Sequence, residues 1–276
     1  MALYVKKSSG QEEPFNIKKF KHSLKKAGAS SAIIEQLIKD VLEHPELDTT
    51  YKLYEYAFDH LKKVDRPTAA RYSLKSALYE LGPEGFYFER FVAELFKAQG
   101  YITQVGQILT GRCVDHEVDV LIENDHQKMM VECKFHNRRG LKTDVKVTLY
   151  IKARFTDLSE HWKSLPSAHA YDGVWLVTNT QFTSQAIKYG LCSGINLLGW
   201  AYPEEKGIAQ LVDQSGLHPI TSLTHLSTSH KRKLLAQGVL LCKELIDSPD
   251  HLKKIDLPLL EGQKIIEECT LLCKTE

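Results

Sequence analysis

Two carboxylates interrupt what would otherwise be successive apolar β-prone runs. His116-Glu117-Val118-Asp119-Val120-Leu121-Ile122 is followed by Met129-Met130-Val131-Glu132-Cys133-Lys134. Successive side chains of a strand point to opposite faces, so Glu132 and Lys134, two apart, share one face. The turn Glu123-Asn124-Asp125 lies between the runs. They are expected to pair as a hairpin that brings Asp119 towards Glu132 at the end of a sheet, with Lys134 beside them. A charge inside an apolar run costs free energy unless it is paired or metal-bound. The fold must therefore supply these acids with a partner.

The chemistry open to such a group is specific. Hard divalent cations such as Mg²⁺ take oxygen ligands, and one or two carboxylates plus water often suffice. A bound metal acidifies water and stabilises charge on a phosphate. A nearby lysine positions the water or stabilises the anionic transition state. Two carboxylates and a lysine at this spacing suit phosphodiester hydrolysis. The plainer reading of the same residues is a solvated face or an ion pair. Glu117, two before Asp119, reads either as a further ligand or as an exposed edge residue. His136, two after Lys134, lines the same face.

Composition narrows the field. The 276 residues allow one large domain or a few small ones. Lys and Arg number 36 and Asp and Glu 35, a net charge of +1. That excludes a uniformly basic nucleic-acid coat but leaves room for a local patch. No stretch approaches the ~20 apolar residues of a membrane span. The opening MALYVKKSSG lacks the apolar core of a signal peptide. The expectation is a cytoplasmic protein with no membrane partner. Six cysteines are scattered with no CxxC pair. Cys269 and Cys273, four apart around Leu271 and Leu272, read as buried thiols on one helix face rather than zinc ligands.

Three segments follow from the periodicities. Residues 1–81 open with a short strand at Leu3, Tyr4 and Val5 and a turn from Ser8 to Pro14 (SSGQEEP). Four helices follow. Ile17, Phe20, Leu24 and Ala27 mark the first, which Gly28 ends. Ala32 to Leu42 mark the second, Tyr54 to Leu61 the third and Pro67 to Leu81 the fourth, which Gly82-Pro83 breaks. Residues 82–210 alternate. A helix from Phe86 to Gln99 precedes β-prone runs at Tyr101–Val105, Val118–Ile122 and Met129–Cys133. A helical stretch at Leu149–Leu158, a strand at Asp172–Thr178, a helix at Ser184–Tyr189 and a strand at Ile195–Trp200 follow. This predicts an α/β core of mixed sheet flanked by helices. Residues 217–276 are helical again, interrupted at Gly238.

The segment from Gly82 to about Tyr202 resembles the Mrr-like members of the PD-(D/E)xK restriction-endonuclease superfamily. The resemblance rests on Phe88-Glu89-Arg90-Phe91-Val92 in a helix, then Gly100-Tyr101, then His116-Glu117-Val118-Asp119-Val120, then Val131-Glu132-Cys133-Lys134. It implies a restriction-endonuclase-like core that hydrolyses DNA with Mg²⁺ or Mn²⁺. Asp119 and Glu132 would be metal ligands, Lys134 the catalytic lysine and Glu89 an accessory ligand from the helix. Gly111-Arg112-Cys113-Val114-Asp115-His116 keeps one glycine where the family has a richer run.

Between Lys128 and Lys163 lie nine Lys and Arg against four acids. Phosphate contacts dominate non-specific DNA affinity, so Arg138, Arg139, Lys142 and Lys146 are candidate DNA contacts beside the proposed site. The alternative is a solvated helix face. Tyr150, Phe155 and Trp162 read as core rather than base-stacking residues. The run Ser222 to Val239 is similar to a helix-hairpin-helix module of the kind in the C-terminal domain of the bacterial RNA polymerase α subunit. That resemblance makes Lys231, Arg232 and Lys233 candidate backbone contacts.

At the N-terminus, Val5-Lys6-Lys7 and Gly10 lead into Phe15, Ile17 and Lys18, with Tyr72 in a later helix. Lysines beside a turn and a helix start suit an anion. The order resembles an ATP-cone, the regulatory nucleotide-binding module of ribonucleotide reductases and their repressor. It implies ATP or dATP binding by Val5, Lys6, Lys7, Gly10 and Lys18. Ser9 stands where an acid or Asn is usual, and Lys7 where Arg is usual. No P-loop is present, so ATP hydrolysis is not implied. Together these readings give a metal-dependent DNA endonuclease, homo-oligomeric and regulated by nucleotide. The alternatives are a non-catalytic, nucleotide-responsive DNA-binding regulator on a nuclease fold, and an RNA nuclease.

Overall fold

Polar residues just ahead of the apolar periodicities start the N-terminal helices. Each accepts a hydrogen bond from an amide that the first turn leaves without a partner. Asn16 takes the Lys19 N–H at 2.9 Å, Ser30 the Ile33 N–H at 3.4 Å and Thr49 the Lys52 N–H at 3.1 Å. The resulting helices are α1 (Ile17–Lys26), α2 (Ser31–Glu43), α3 (Thr50–Val64) and α4 (Arg66–Tyr79). This is a computed structural model, which describes residues 4–7, 10–82, 85–165, 171–255 and 257–274. Leu3, Ser8, Ser9 and Pro83, assigned above to a strand, a turn and a helix break, lie outside the described residues. Ahead of α1, β1 (Tyr4–Lys6) pairs antiparallel with β2 (Glu12–Pro14), a second short strand in the stretch read as a turn. Phe20, Leu24, Leu37, Val41, Ala57 and Leu61 fill the core between the first three helices.

The α/β part begins with α5 (Phe86–Lys97). A meander follows: β3 (Ile102–Thr110), β4 (Asp115–Glu123) and β5 (Lys128–Lys134). After a short β6 (Lys142–Thr143) come α6 (Val145–Lys163), β7 (Gly173–Thr178), a short β8 (Gln181–Phe182), α7 (Ser184–Ser193), β9 (Ile195–Leu198) and α8 (Ile208–Ser215). The five-stranded sheet runs β3-β4-β5-β7-β9. β3, β4 and β5 are antiparallel neighbours, whereas β7 and β9 run parallel to β5. The fold is thus a mixed α/β sheet flanked by helices, and β5 is the strand where the two pairing modes meet.

α6 turns Thr148, Ile151, Arg154, Leu158 and Trp162 inward. Tyr150 lies off that stripe and is 59% exposed, which corrects its assignment to the core. Trp162 is buried as expected, and Phe155 is half-buried.

After α8, a 3₁₀ turn at Ile220–Ser222 leads to α9 (Thr228–Ala236), α10 (Cys242–Asp247), α11 (Asp250–Lys253) and α12 (Leu259–Cys273). Gly238, at φ +84°, makes the chain reversal expected of it. Cys269 is buried and Cys273 half-buried on α12. Buried Glu268 of α12 accepts from the Thr224 amide at 2.9 Å and hydroxyl at 2.7 Å, fixing the loop between the 3₁₀ turn and α9.

The chain separates into two compact units, one of residues 1–78 with 218–274 and one of residues 79–217. In the first, Thr221 donates to the Ala77 carbonyl at 2.8 Å and Arg71 to the Leu271 carbonyl at 3.0 Å. The helices read as separate N- and C-terminal segments therefore pack together. This explains why α4 buries Ala69, Ala70, Ser73, Leu74, Ala77 and Leu78 rather than a single stripe.

Candidate active site

Strand register brings the two acids together. Leu121 pairs with Met130 and Val120 with Val131, so Asp119 and Glu132 face each other one step beyond the paired residues. Asp119 Oδ2 accepts the Cys133 amide at 2.6 Å, which turns its carboxylate onto β5. On the other side of Asp119 the pairing runs Val105 to Val120 and Gln107 to Val118, leaving Gly106 opposite the acid. Gly106 holds φ +64° in mid-strand, a conformation that L side chains rarely adopt. Lys134 is exposed at the end of β5, two residues past Glu132. Glu89 lies in the first turn of α5, close enough for its charge to bear on Glu132.

A fourth charged residue completes the group. Arg154 of α6 is buried and donates from Nη1 to Glu132 Oε2 at 2.5 Å. Its Nη2 donates to the Glu117 carbonyl, and its guanidinium carbon lies 5.4 Å from the centre of the Tyr150 ring. Glu117 itself is exposed and joins the site through its backbone and its charge.

Three carboxylates in one half-buried place repel one another. Burial, the Asp119 charge and the Glu117 charge push Glu89 up to about 7. Burial is also the main cause that raises Asp119, against the Cys133 amide and Arg154. Glu132 is raised by burial and by Asp119, with Arg154 pulling the other way. Such a cluster has the hard-oxygen donors and the unbalanced charge that a divalent cation relieves. The residues therefore fit Mg²⁺ or Mn²⁺ by donor chemistry. Among the described residues no three His, Cys, Asp or Glu side chains already converge as a metal-holding cluster. One oxygen of Glu132 faces Arg154 and one of Asp119 faces the Cys133 amide.

The segment beyond Lys134 is held by a buried polar network. Thr178 donates to the Lys134 carbonyl at 2.8 Å. Asn179, fully buried, accepts the His136 amide at 2.9 Å and donates to the His136 carbonyl at 2.8 Å. The His136 ring is 3.0 Å from the Thr143 hydroxyl. His136 is thus bound into the scaffold, and burial with the neighbouring Lys134 charge lowers its pKa.

A second brace joins the β3–β4 turn to α6. Asp157 accepts the Cys113 amide at 3.0 Å and lies 2.8 Å from His116 Nε2. His116 and the Cys113 and Val114 contacts hold its carboxyl down at about 2. A methyl group on Gly111 would sit 2.1 Å from Asp157 Oδ2 and 2.6 Å from the Val114 carbonyl. The single glycine left in this turn is the one the brace requires.

Arg154, Asp157 and Asn179 are not among the site residues expected from the sequence, where Arg154 and Asp157 enter only the charge balance of the basic stretch. Arg154 carried a usable signal, because a charge at the inward position of an otherwise apolar helix stripe demands a buried acid. Asn179 and Asp157 carried none, since their partners, the His136 backbone for one and His116 with the Cys113 and Val114 amides for the other, lie more than forty positions away.

The remaining candidates fall outside this group. Arg138, Arg139, Lys142 and Lys146 are exposed between β5 and the start of α6. Lys233 is exposed on α9, whereas Lys231 donates to the Thr221 carbonyl at 2.5 Å. In the N-terminal hairpin Val5 is buried and Lys6 is exposed, and Lys18 is exposed in the first turn of α1. Lys7 pairs with Glu13 at 2.6 Å, and Gly10 closes the turn at φ +84°.

Comparison with known proteins gives the class first. Residues 82–199 match the family described as restriction endonuclease, so the sheet is that of a nuclease domain. Residues 218–273 match the family described as AF1548-like, C-terminal. An uncharacterized protein of Archaeoglobus fulgidus is 35% identical over 178 residues, 64% of this chain and 97% of that one. The crystal structure of a protein of unknown function, AF1548, is 34% identical and covers 67% of this chain and 96% of its own, with a TM-score of 0.55. The chain belongs to the AF1548-like family of proteins with a restriction-endonuclease domain.

Proposed function

We propose that this protein is a metal-dependent endonuclease that cleaves DNA. The observation that carries the reading is the register of β4 and β5, which sets Asp119 opposite Glu132 with Lys134 two residues on. In this reading Asp119, Glu132 and Glu89 hold Mg²⁺ or Mn²⁺, which supplies an acidified water and charge stabilisation at the scissile phosphate. Lys134 orients the attacking water and stabilises the charge that develops on the phosphate. The exposed Arg138, Arg139, Lys142 and Lys146 contact the DNA backbone, with Lys233 as a further contact and Lys231 held back by Thr221.

The test is plasmid nicking with Mg²⁺ or Mn²⁺ by the wild type, Asp119→Ala and Lys134→Ala. The expected result is metal-dependent nicking that falls by roughly 10²–10⁴-fold in both variants. Nicking that survives in both variants sinks the assignment of the site. An RNA duplex in parallel separates a deoxyribonuclease from a ribonuclease.

The reading extends to ATP or dATP at the N-terminal hairpin and the start of α1, where Lys6 and Lys18 are exposed and Lys7 would have to exchange Glu13 for phosphate. Titration calorimetry with dATP on the wild type and Lys18→Ala tests it. No heat from the wild type removes nucleotide from the account. Sedimentation with and without nucleotide tests the homo-oligomer.

A further inference from the structure

Arg154 is 8% exposed and occupies an inward position of α6, in line with Ile151, Leu158 and Trp162. Arginine on a surface helix normally carries its head out to water. Here the head is buried against β4 and β5. It donates from Nη1 to Glu132 Oε2 at 2.5 Å and from Nη2 to the Glu117 carbonyl, with the Tyr150 ring 5.4 Å from Cζ. Its Nε is buried with no hydrogen-bond partner among the described residues. Stability alone is a poor reason for this arrangement. A buried ion pair commonly adds no more than apolar side chains of the same volume would, and an orphaned N–H adds a further cost.

The two bonds reach two different strands. One grips the acid of β5, and the other grips the backbone of β4 two residues before Asp119. Only the planar fork of arginine makes both bonds from one side chain, because a lysine ammonium is a single point. Tying one oxygen of Glu132 also fixes how the other is presented. We propose that Arg154 is the positioning residue of the metal site, locking Glu132 and the Asp119 strand into one ligand set. The proposal rests on the nuclease reading above and deepens it.

The test measures Mn²⁺ affinity in the DNA-free, full-length protein by calorimetry and by the electron-spin signal of free Mn²⁺. Wild type, Arg154→Lys, Arg154→Met and Asp119→Ala are compared, with folding checked by thermal melting in chelator. Removing a residue that orients a metal ligand typically weakens metal binding 10–100-fold. Arg154→Met should show a loss of that size, and Arg154→Lys, which keeps the charge without the fork, a smaller one. Neither change should depend on a drop in melting temperature. If Arg154→Met does not fold, Arg154→Lys alone decides. Asp119-dependent Mn²⁺ binding that a folded Arg154→Lys leaves unchanged, or that Arg154→Met tightens, overturns this proposal and spares the nuclease reading. Wild type that binds no Mn²⁺, or binds it equally in Asp119→Ala, overturns both.

Discussion

Single residues here act by where they cannot be replaced. Gly111 has no room for a methyl group, because Asp157 and the Val114 carbonyl occupy the space. Gly111→Ala must displace the brace, and an overpacked site of this kind typically costs about 1–3 kcal/mol. Chemical denaturation of the two proteins measures it, and an unchanged midpoint would mean the turn rearranges freely. Asp157 carries a pH signature as well. Its folded carboxyl sits at about 2, below the ordinary ~3.9 of an unfolded aspartate. A depressed carboxyl stabilises the fold above the unfolded value and loses that contribution as pH falls through the folded one. The wild-type melting temperature should therefore fall between about pH 4 and pH 2 more steeply than that of Asp157→Asn. Parallel curves would count against the brace.

At the scale of elements, the site is where β5 changes from antiparallel to parallel pairing. The meander side supplies Asp119, and the parallel side supplies Thr178 and Asn179, which hold the chain just past Lys134. Asn179→Ala leaves an amide and a carbonyl of His136 without partners, at a typical cost of about 1–3 kcal/mol. Because that backbone follows Lys134, nicking should fall further than stability alone explains. Cleavage per folded molecule is the measure, and a drop in proportion to unfolding would assign Asn179 to the scaffold only. Much of this was legible in the sequence. The apolar periodicities at Ile17 to Ala27, Ala32 to Leu42 and Tyr54 to Leu61 announce helices α1 to α3, and the Asp119 and Glu132 runs announce a hairpin. Neither the positive φ of Gly106 nor the exposure of Tyr150 was legible. Both depend on which neighbour lies across the sheet or beneath the helix, and periodicity does not encode that. Arg154 was visible as a charge but not as a site residue, for its two partners lie 22 and 37 positions earlier in the chain.

For the whole molecule, the first and last segments of the chain make one unit. Thr221 on the Ala77 carbonyl and Arg71 on the Leu271 carbonyl are the stitches, and α4 is buried on more than one side. A chain ending at residue 217 should lose helical signal beyond the helices deleted, because α4 exposes apolar surface that α1 to α3 do not cover. Circular dichroism of the truncated and full chains, with hydrogen exchange at α4, tests this. A loss confined to the deleted helices would show that residues 1–78 are self-sufficient.

That arrangement sets an order of events on the ribosome. The residues of the nuclease sheet, 79–217, are all synthesised before the first residue of the returning segment appears. Domains fold as units while the chain grows by ~5–20 residues each second. The nuclease unit is therefore free to assemble several seconds before its helical companion can close. During that interval one side of α4 waits uncovered, until residues 218–274 have been made.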